Sequence, residues 1–285
     1  MPKQENGFLR HIQRLNKWKP EHFRPFFISG QRVGYLKHFM CQALSQWPEY
    51  FSISEQKVEF IANISMDERS QILDDVVHRL VEQGVIARYL GESYPVTGNN
   101  RDQLFAVLDR GAAAYFGIRS YGQHLNGFIR SEHGLAMWIA RRATDRIHFP
   151  NKLDNMVAGG LPQNLSLQSN LLKECQEEAD IPAELARNAR ATGAISYCCE
   201  TEAGLKPDTL YCYDLELPRS FVPQNTDGEV AEFELLNIEK VVQVVHDTNA
   251  FKANCNLVIL DFAIRNGIIK AEQENYLELI AGLHS

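Results

Sequence analysis

The sequence predicts an α/β (α+β) protein: helices cover both faces of a mixed sheet, and a smaller α+β domain precedes it. From residue 115 onward, apolar runs such as HLNGFIR, LAMWIARRA and LDNMVAGG are separated by polar turns and read as strands. Helical apolar spacing lies between and after these runs, so helices are expected on both sides of the sheet. The earlier chain mixes shorter patterns. We therefore expect domains at residues 1–114 and 115–285.

The first domain is predicted from short local patterns. Helical spacing favours helices over 7–18, 37–44 and 66–84, the last with Asp67 as its cap and Gly84 at its end. A strand pair is expected over 51–61, a turn-rich connection over 86–101 and a further helix over 102–114. None of these segments carries a motif with evident chemistry. The expected role of this domain is therefore packing or covering.

The second domain is predicted from its strand and turn signals. The segments ATGAISYCCE and DTLYCYDLELP favour a hairpin, and VAEFELLNI favours one more strand. Helices are expected over 167–179, 238–246 and 254–266. Strands framed in this way by helices predict an α/β/α sandwich.

Composition excludes several classes of protein. The 285 residues are 45% apolar and 23% charged with a net charge of −7, which argues against the basic surface that binds a nucleic acid polymer. No apolar run approaches the roughly 20 residues that span a membrane, and the N-terminal segment lacks the apolar centre of a signal peptide. Six scattered cysteines without a CxxC pair argue against a zinc site and favour a reduced, cytoplasmic setting.

One predicted helix concentrates carboxylates. Glu174, Glu177 and Glu178 fall within an arc of about 100° on a helix and lie along the flank of its apolar stripe. Carboxylates this close repel one another, and a hard cation such as Mg²⁺ or Mn²⁺ relieves the repulsion. The alternative is an acidic helix face in contact with water.

The stretch around these glutamates resembles a Nudix box, whose pattern is G-x5-E-x7-R-E-U-x-E-E-x-G-U with U apolar. The matching positions are Gly159, Glu174, Cys175, Glu177, Glu178 and Ile181. The first glutamate of the pattern is replaced by Leu165, or by Ser166 if Gly160 anchors the motif. Lys173 replaces the arginine, and Asp180 replaces the second glycine. The three glutamates of the metal-binding helix are intact, whereas the supporting ion pair is altered, because lysine lacks the planar fork of arginine.

The resemblance continues from residue 116 to the C-terminus. The segments FGIRSYGQHLNGFIR, FPNKLDNMVAGGLP, LLKECQEEADIP and FKANCNLVILDFAIRNGII resemble the Nudix family related to thiamin pyrophosphokinase. This resemblance implies a Nudix domain behind an accessory N-terminal domain. It also implies that Glu174, Glu177 and Glu178 hold Mg²⁺ or Mn²⁺, and that Glu229 in the NTDGEV turn supplies a base or a further ligand.

Other residues are candidates for the same site. Lys173 is expected to orient Glu174 or contact phosphate, and the backbone of the Gly159–Gly160 pair to approach metal or substrate. Arg141 and Arg142 end a strand with their side chains on opposite faces, so one of them is expected to bind phosphate. His124 and Asn126 share one strand face and are candidates for reading the substrate head group. For each of them a structural or surface role is the alternative.

The first hypothesis for function is hydrolysis of a diphosphate by water attack on phosphorus, releasing a monophosphate. The resemblance implies oxidised or damaged thiamin diphosphate as the substrate, with 8-oxo-dGDP next and ADP-ribose behind it. The second hypothesis is a Nudix-fold module that binds a phosphorylated ligand without cleaving it. The expected partner is a small phosphorylated molecule rather than a nucleic acid polymer or a membrane, and a homodimer stays open.

Overall fold

The computed structural model describes residues 7–132 and 134–284. The helices are α1 Leu9–Leu15, α2 His38–Leu44, α3 Met66–Glu82, α4 Ala113–Phe116, α5 Leu167–Ala179, α6 Ala183–Ala186, α7 Ile238–Asp247, α8 Ala253–Arg265 and α9 Tyr276–Gly282. The strands are β1 Phe23–Ile28, β2 Gln31–Lys37, β3 Phe51–Ile53, β4 Val58–Phe60, β5 Ser93–Thr97, β6 Leu104–Asp109, β7 Ser120–Ser131, β8 Gly134–Arg142, β9 Leu153–Asp154, β10 Val157–Gly160, β11 Arg190–Glu200, β12 Leu205–Glu216 and β13 Val230–Asn237. Short 3₁₀ turns cover Pro20–His22 and Arg110–Ala112.

The principal sheet is mixed, as predicted. Its strands run in the order β11-β12-β7-β8-β13, with β10 paired to β7 and β9 paired to β8. Strands β12 and β7 are parallel, and the other pairs are antiparallel. The antiparallel register of β10 sets Gly159 opposite Gln123 and Gly160 opposite Gly122. The two glycines of the motif are thereby fixed at the edge of the sheet.

Helices cover both faces of this sheet, which confirms the predicted α/β/α arrangement. Successive residues of a strand face opposite sides. Cys212 therefore joins the core beneath α8, and its neighbour Tyr213 joins the core beneath α5. On the α5 side, Leu171 and Cys175 of the helix are buried against the sheet. The predicted apolar stripe of α5 is thus its packing face.

The N-terminal region, residues 20–119, has a core of its own. A small sheet in the order β2-β1-β4-β3 and the separate pair β5-β6 pack with α2 and α3 around Phe26, Leu73 and Leu80. The predicted α+β character is confirmed. Helix α1 packs elsewhere: Ile12 and Leu15 belong to the core beneath α8. The boundary at residues 114 and 115 stays a prediction.

The helix predicted over 102–114 is wrong. Residues 104–109 form β6, and α4 begins only at Ala113. Leu104, Val107 and Leu108 fit helical spacing, but Ala106 and Leu108 are the buried apolar positions, with the period of two that belongs to a strand. Its partner β5 lies within the segment predicted to be a turn-rich connection. Pairing between these two segments decides their structure, and neither segment shows it alone.

Two local details refine the predictions. Helix α3 is capped by Ser65 rather than Asp67: the Ser65 Oγ accepts the Glu68 backbone N–H, and the Glu68 carboxylate accepts the Ser65 backbone N–H. All six cysteines are free, in agreement with their scattered positions. In the part of the chain that the structure describes, no helix combines the length and the apolar character needed to cross a membrane.

Candidate active site

Helix α5 is fixed at both ends by its own sequence. The Ser166 Oγ accepts the Ser169 backbone N–H at 3.1 Å and caps the first turn. At the other end Asp180 occupies the left-handed region with φ +51° and donates its backbone N–H to the Gln176 carbonyl, while the Ile181 N–H donates to the Cys175 carbonyl. This is the position at which the Nudix pattern has a glycine, and the reason is visible, because glycine adopts that conformation without steric cost.

The loop before α5 is held by the N-terminal region. Arg101 donates from Nη2 to the carbonyl oxygens of Pro162 and Leu165 at 3.0 and 3.1 Å. Leu165 stands where the family pattern has a loop glutamate. The Arg101 side chain therefore supports the main chain of the loop at the position where that glutamate is missing.

The three glutamates of α5 lie in different environments. Glu178 is buried and accepts the Ala158 backbone N–H at 2.7 Å. The Glu174 side chain is 14% exposed and packs on Gly159, whereas the Glu177 side chain is 43% exposed. Exposure therefore increases from Glu178, next to the strand, through Glu174 to Glu177, which faces solvent.

Lys173 bridges two of these carboxylates. Its Nζ lies 2.7 Å from Glu177 Oε2 and 3.4 Å from Glu174 Oε1. Desolvation lowers the lysine pKa, but its hydrogen bond to Glu177 and the two negative charges outweigh that effect and raise it. Lys173 therefore stays charged and contacts both carboxylates; that it orients Glu174 or contacts phosphate stays a prediction.

The carboxylates repel each other in the absence of a cation. Burial, with the negative charges of Asp154 and Glu174, raises the pKa of Glu178 to about 8. The pKa of Glu174 is also raised, first by burial and then by Glu177 and Glu229. A set of hard oxygen donors that resists ionisation fits a divalent cation, because the cation supplies the missing positive charge. Glu174, Glu177 and Glu178 are the residues that would hold it.

Gly159 and Gly160 serve opposite faces of β10. A Cβ on Gly159 would lie 2.6 Å from Cγ and Oε2 of Glu174, so only glycine admits that side chain. A Cβ on Gly160 would meet the hydroxyl of Tyr94 and lie 3.8 Å from Nη1 of Arg110. Both close approaches involve side chains beside the site, which explains why two glycines stand together.

Glu229 lies close to this helix. Its carboxylate accepts from Arg146 Nη2 at 2.8 Å, and its charge acts on Glu174 and raises the pKa of that carboxyl. The preceding loop is tied to α5, because Thr226 donates from both N and Oγ1 to the Glu177 carbonyl at 3.1 and 2.7 Å. The structure thus brings Glu229 together with the glutamates of α5.

Arg141 and Arg142 diverge at the end of β8, as the strand geometry predicts. Arg141 donates from Nε to Glu232 at 2.6 Å on an exposed cross-strand pair. Arg142 donates from Nη1 to the buried Asp154 at 2.9 Å. Both arginines have carboxylate partners within the protein, and Arg142 is the one directed toward the interior beside Glu178.

His124 and Asn126 belong to an internal network. His124 Nδ1 lies 2.8 Å from Asn155 Oδ1, and Asn155 donates to Asn126 Oδ1 at 3.0 Å. Asn126 in turn donates to Asp214 at 3.1 Å. Both predicted residues are 3% exposed or less, and burial lowers the pKa of His124 to about 4. Neither side chain is accessible to a substrate head group in this structure, which the predicted role would require.

A buried charge cluster beneath Glu178 was absent from the sequence-based prediction. Asp154 lies 2.9 Å from Arg142, 3.3 Å from Lys252 and 2.7 Å from the Cys255 thiol. Donor atoms of His124, Asp154 and Cys255 lie within 4.8 Å of one another. The two cationic side chains already neutralise Asp154, which argues against a metal ion there. The sequence had singled out His124 and Arg142 individually, but nothing in it joined them to Asp154 and Lys252.

One family model matches the N-terminal segment, and solved structures align with about half of the chain. Residues 7–120 match the family model described as a domain of unknown function, DUF4743. Among solved structures, an Ap4A hydrolase of C. elegans aligns with 53% of this chain and 99% of its own, at 12% identity and a TM-score of 0.39.

Two curated relatives from Arabidopsis thaliana match nearly the whole chain. Nudix hydrolase 20, chloroplastic, is 38% identical over 291 residues, covering 98% of this chain and 78% of the relative. Nudix hydrolase 24, chloroplastic, is 38% identical over 284 residues, with the same two coverages. With this identity along almost its entire length, the chain belongs to the Nudix hydrolase family and is an enzyme that hydrolyses diphosphate linkages.

Proposed function

We propose that this protein is a Mg²⁺- or Mn²⁺-dependent diphosphatase that acts on a small phosphorylated compound and releases a monophosphate. The observation that carries the proposal is the placement of Glu174 against Gly159, with Glu177 and Glu178 on the same helix flank. Burial raises the pKa values of Glu174 and Glu178, and together with the Glu177 carboxylate they form a set of oxygen donors of the kind that a hard divalent cation requires. When bound, such a cation neutralises phosphate charge and lowers the pKa of water.

The residues of the chain divide the remaining work. Water forms a new bond to phosphorus, the bridging P–O bond breaks with its electron pair on the leaving phosphate, and one proton passes to a carboxylate. We assign that proton to Glu229, which stands at the end of a loop tied to α5 and is oriented by Arg146. Lys173 holds Glu174 and Glu177 in position.

The substrate proposal rests on the resemblance to the thiamin pyrophosphokinase-related Nudix family. It implies oxidised thiamin diphosphate first, then 8-oxo-dGDP or ADP-ribose. These compounds share a diphosphate joined to an organic group and differ in that group. A panel that holds the diphosphate constant therefore separates them.

The test is turnover of this panel with Mg²⁺ and with Mn²⁺, followed as release of monophosphate. Glu177→Gln and Glu178→Gln should each lower kcat by about 100-fold or more, since each removes a charge from the site. Glu184→Gln is the control, because that residue is exposed on α6 outside the site. Tight binding of a compound without turnover in the wild type would contradict the proposed reaction.

A further inference from the structure

Two side chains of the N-terminal region reach the sheet edge at the candidate site. Tyr94 of β5 is buried, and its hydroxyl lies against Gly160. Arg110, just after β6, lies beside the same glycine. The charge of Glu174 acts on the Tyr94 hydroxyl, and the charge of Glu229 acts on Arg110. Tyr94 and Arg110 therefore lie across β10 from Glu174, on the Gly160 face of the strand, within reach of the charges of Glu174 and Glu229.

Arg110 is fixed on one side and open on the other. Its Nη1 donates to the Glu92 carboxylate at 2.9 and 3.2 Å, and its Cζ lies 5.6 Å from the centre of the Tyr94 ring. Among the described residues, no acceptor for its Nε or Nη2 is present within hydrogen-bond distance. The side chain is 42% exposed. A guanidinium held in this way keeps N–H groups available for an incoming anion.

Positive charges from several segments act on His148, and Arg110 is one of them. Desolvation lowers the pKa of His148, and the positive charges of Arg88, Lys206, Arg110 and Arg142 lower it further. These charges come from separate segments of the chain, and the charge of Arg110 interacts with that of Glu229 as well. Clustered positive charge beside a cation-binding acidic edge attracts a compound with several negative charges.

We infer that Arg110 binds a phosphate group of the substrate, so that the N-terminal region forms part of the substrate site. Glu92 and Tyr94 act as positioning residues: the Glu92 carboxylate accepts from Nη1 of the guanidinium, and the Tyr94 ring packs against its face. The inference rests on the proposed function for the identity of the anion, a diphosphate. It gives the N-terminal region a role in binding, beyond the packing or covering expected from its sequence.

The test uses inorganic diphosphate with Mg²⁺ as the probe and measures its dissociation constant by calorimetry on the full-length protein. Arg110→Gln should raise Kd by about tenfold or more, and Arg110→Lys by less, because lysine keeps the charge without the fork. Arg79→Gln is the matched control, since Arg79 is an exposed arginine of the same region paired with Glu82. In turnover, Arg110→Gln should raise KM by a similar factor and change kcat less.

Thermal unfolding of each variant checks its fold, and Arg110→Lys with Glu92→Gln carries the test if Arg110→Gln does not fold. An unchanged Kd and KM in the Arg110 variants refutes the inference, as does a wild type that does not bind the probe. If Glu178→Gln abolishes turnover while Arg110→Gln binds diphosphate normally, the proposed function stands and this inference fails. If Arg110→Gln weakens diphosphate binding but the wild type turns over no compound of the panel, this inference stands and the proposed function fails.

Discussion

Replacement of Gly159 by alanine tests whether the position of Glu174 controls the reaction. The added Cβ would lie 2.6 Å from Cγ and Oε2 of Glu174, where ordinary contacts begin at 3.4 Å. The carboxylate must therefore move by about 1 Å, because the neighbouring backbone is paired in the sheet. A displacement of about 1 Å in a positioned catalytic group costs about 100-fold in rate. We expect kcat to fall by about that factor, with about 1–3 kcal/mol lost from the free energy of unfolding.

A double-mutant cycle isolates the cause. Glu174→Ala removes the atoms that the new Cβ would strike, so Gly159→Ala should change the residual rate by less than about threefold in that background. The assay is kcat for the best substrate of the panel, with chemical denaturation of each variant as the fold control. An equal loss of rate in both backgrounds would show that Gly159 acts through the backbone and not through Glu174. Full activity of the Gly159→Ala variant would refute the idea that the position of Glu174 controls the reaction.

Three further predictions concern stability. Asp180→Gly should raise the free energy of unfolding by about 1 kcal/mol in denaturant titration, because glycine adopts φ +51° without strain; a loss would contradict this. Asp154→Asn should cost about 3–5 kcal/mol by the same measurement, because it leaves Lys252 and Arg142 buried without their counterion; a cost below 1 kcal/mol would contradict this. Burial lowers the pKa of His11 to about 4, so only the unfolded state binds this proton at intermediate pH, and stability falls as pH drops from 6.5 to 4, by about 3 kcal/mol in total. His11→Gln keeps a hydrogen-bond donor but does not titrate, so the slope of stability against pH should flatten by about one proton; an unchanged slope would assign the acid sensitivity elsewhere.

The acidic helix was predictable because its evidence is local. Glu174, Glu177 and Glu178 share one flank by their spacing alone, and the apolar positions of the same segment say which side packs on the sheet. The capping serine and the turn at Asp180 also lie within the segment. Fold class followed for the same reason, since alternating strand and helix patterns are read one segment at a time.

The surroundings of that helix were not predictable, because they depend on distant pairings. Arg110 enters the site only because β6 pairs with β5, and the helical spacing of that segment concealed the strand. The burial of His124 and Asn126 depends in part on α8, more than 120 residues later in the chain, whose residues share the network around Asp154. A strand pattern shows which residues share a face, but not whether that face is covered by another helix or left open to a ligand.

The packing of α1 has a consequence for how the protein is made. The segment that carries α1 contacts residues 245 and 246: the Gly7 N–H, just before the helix, donates to the His246 carbonyl at 3.0 Å, and His11 Nε2 in the helix lies 2.7 Å from the Val245 oxygen. At about 5–20 residues per second, a ribosome needs tens of seconds to deliver those partners. During that time the apolar side chains of Ile12 and Leu15 are exposed to solvent. The N-terminal region can fold before α1 packs against α7 and α8. The nascent chain is thus exposed to aggregation until the helices that pack on α1 have been synthesised, and a chaperone that shields α1 should raise the yield of folded protein.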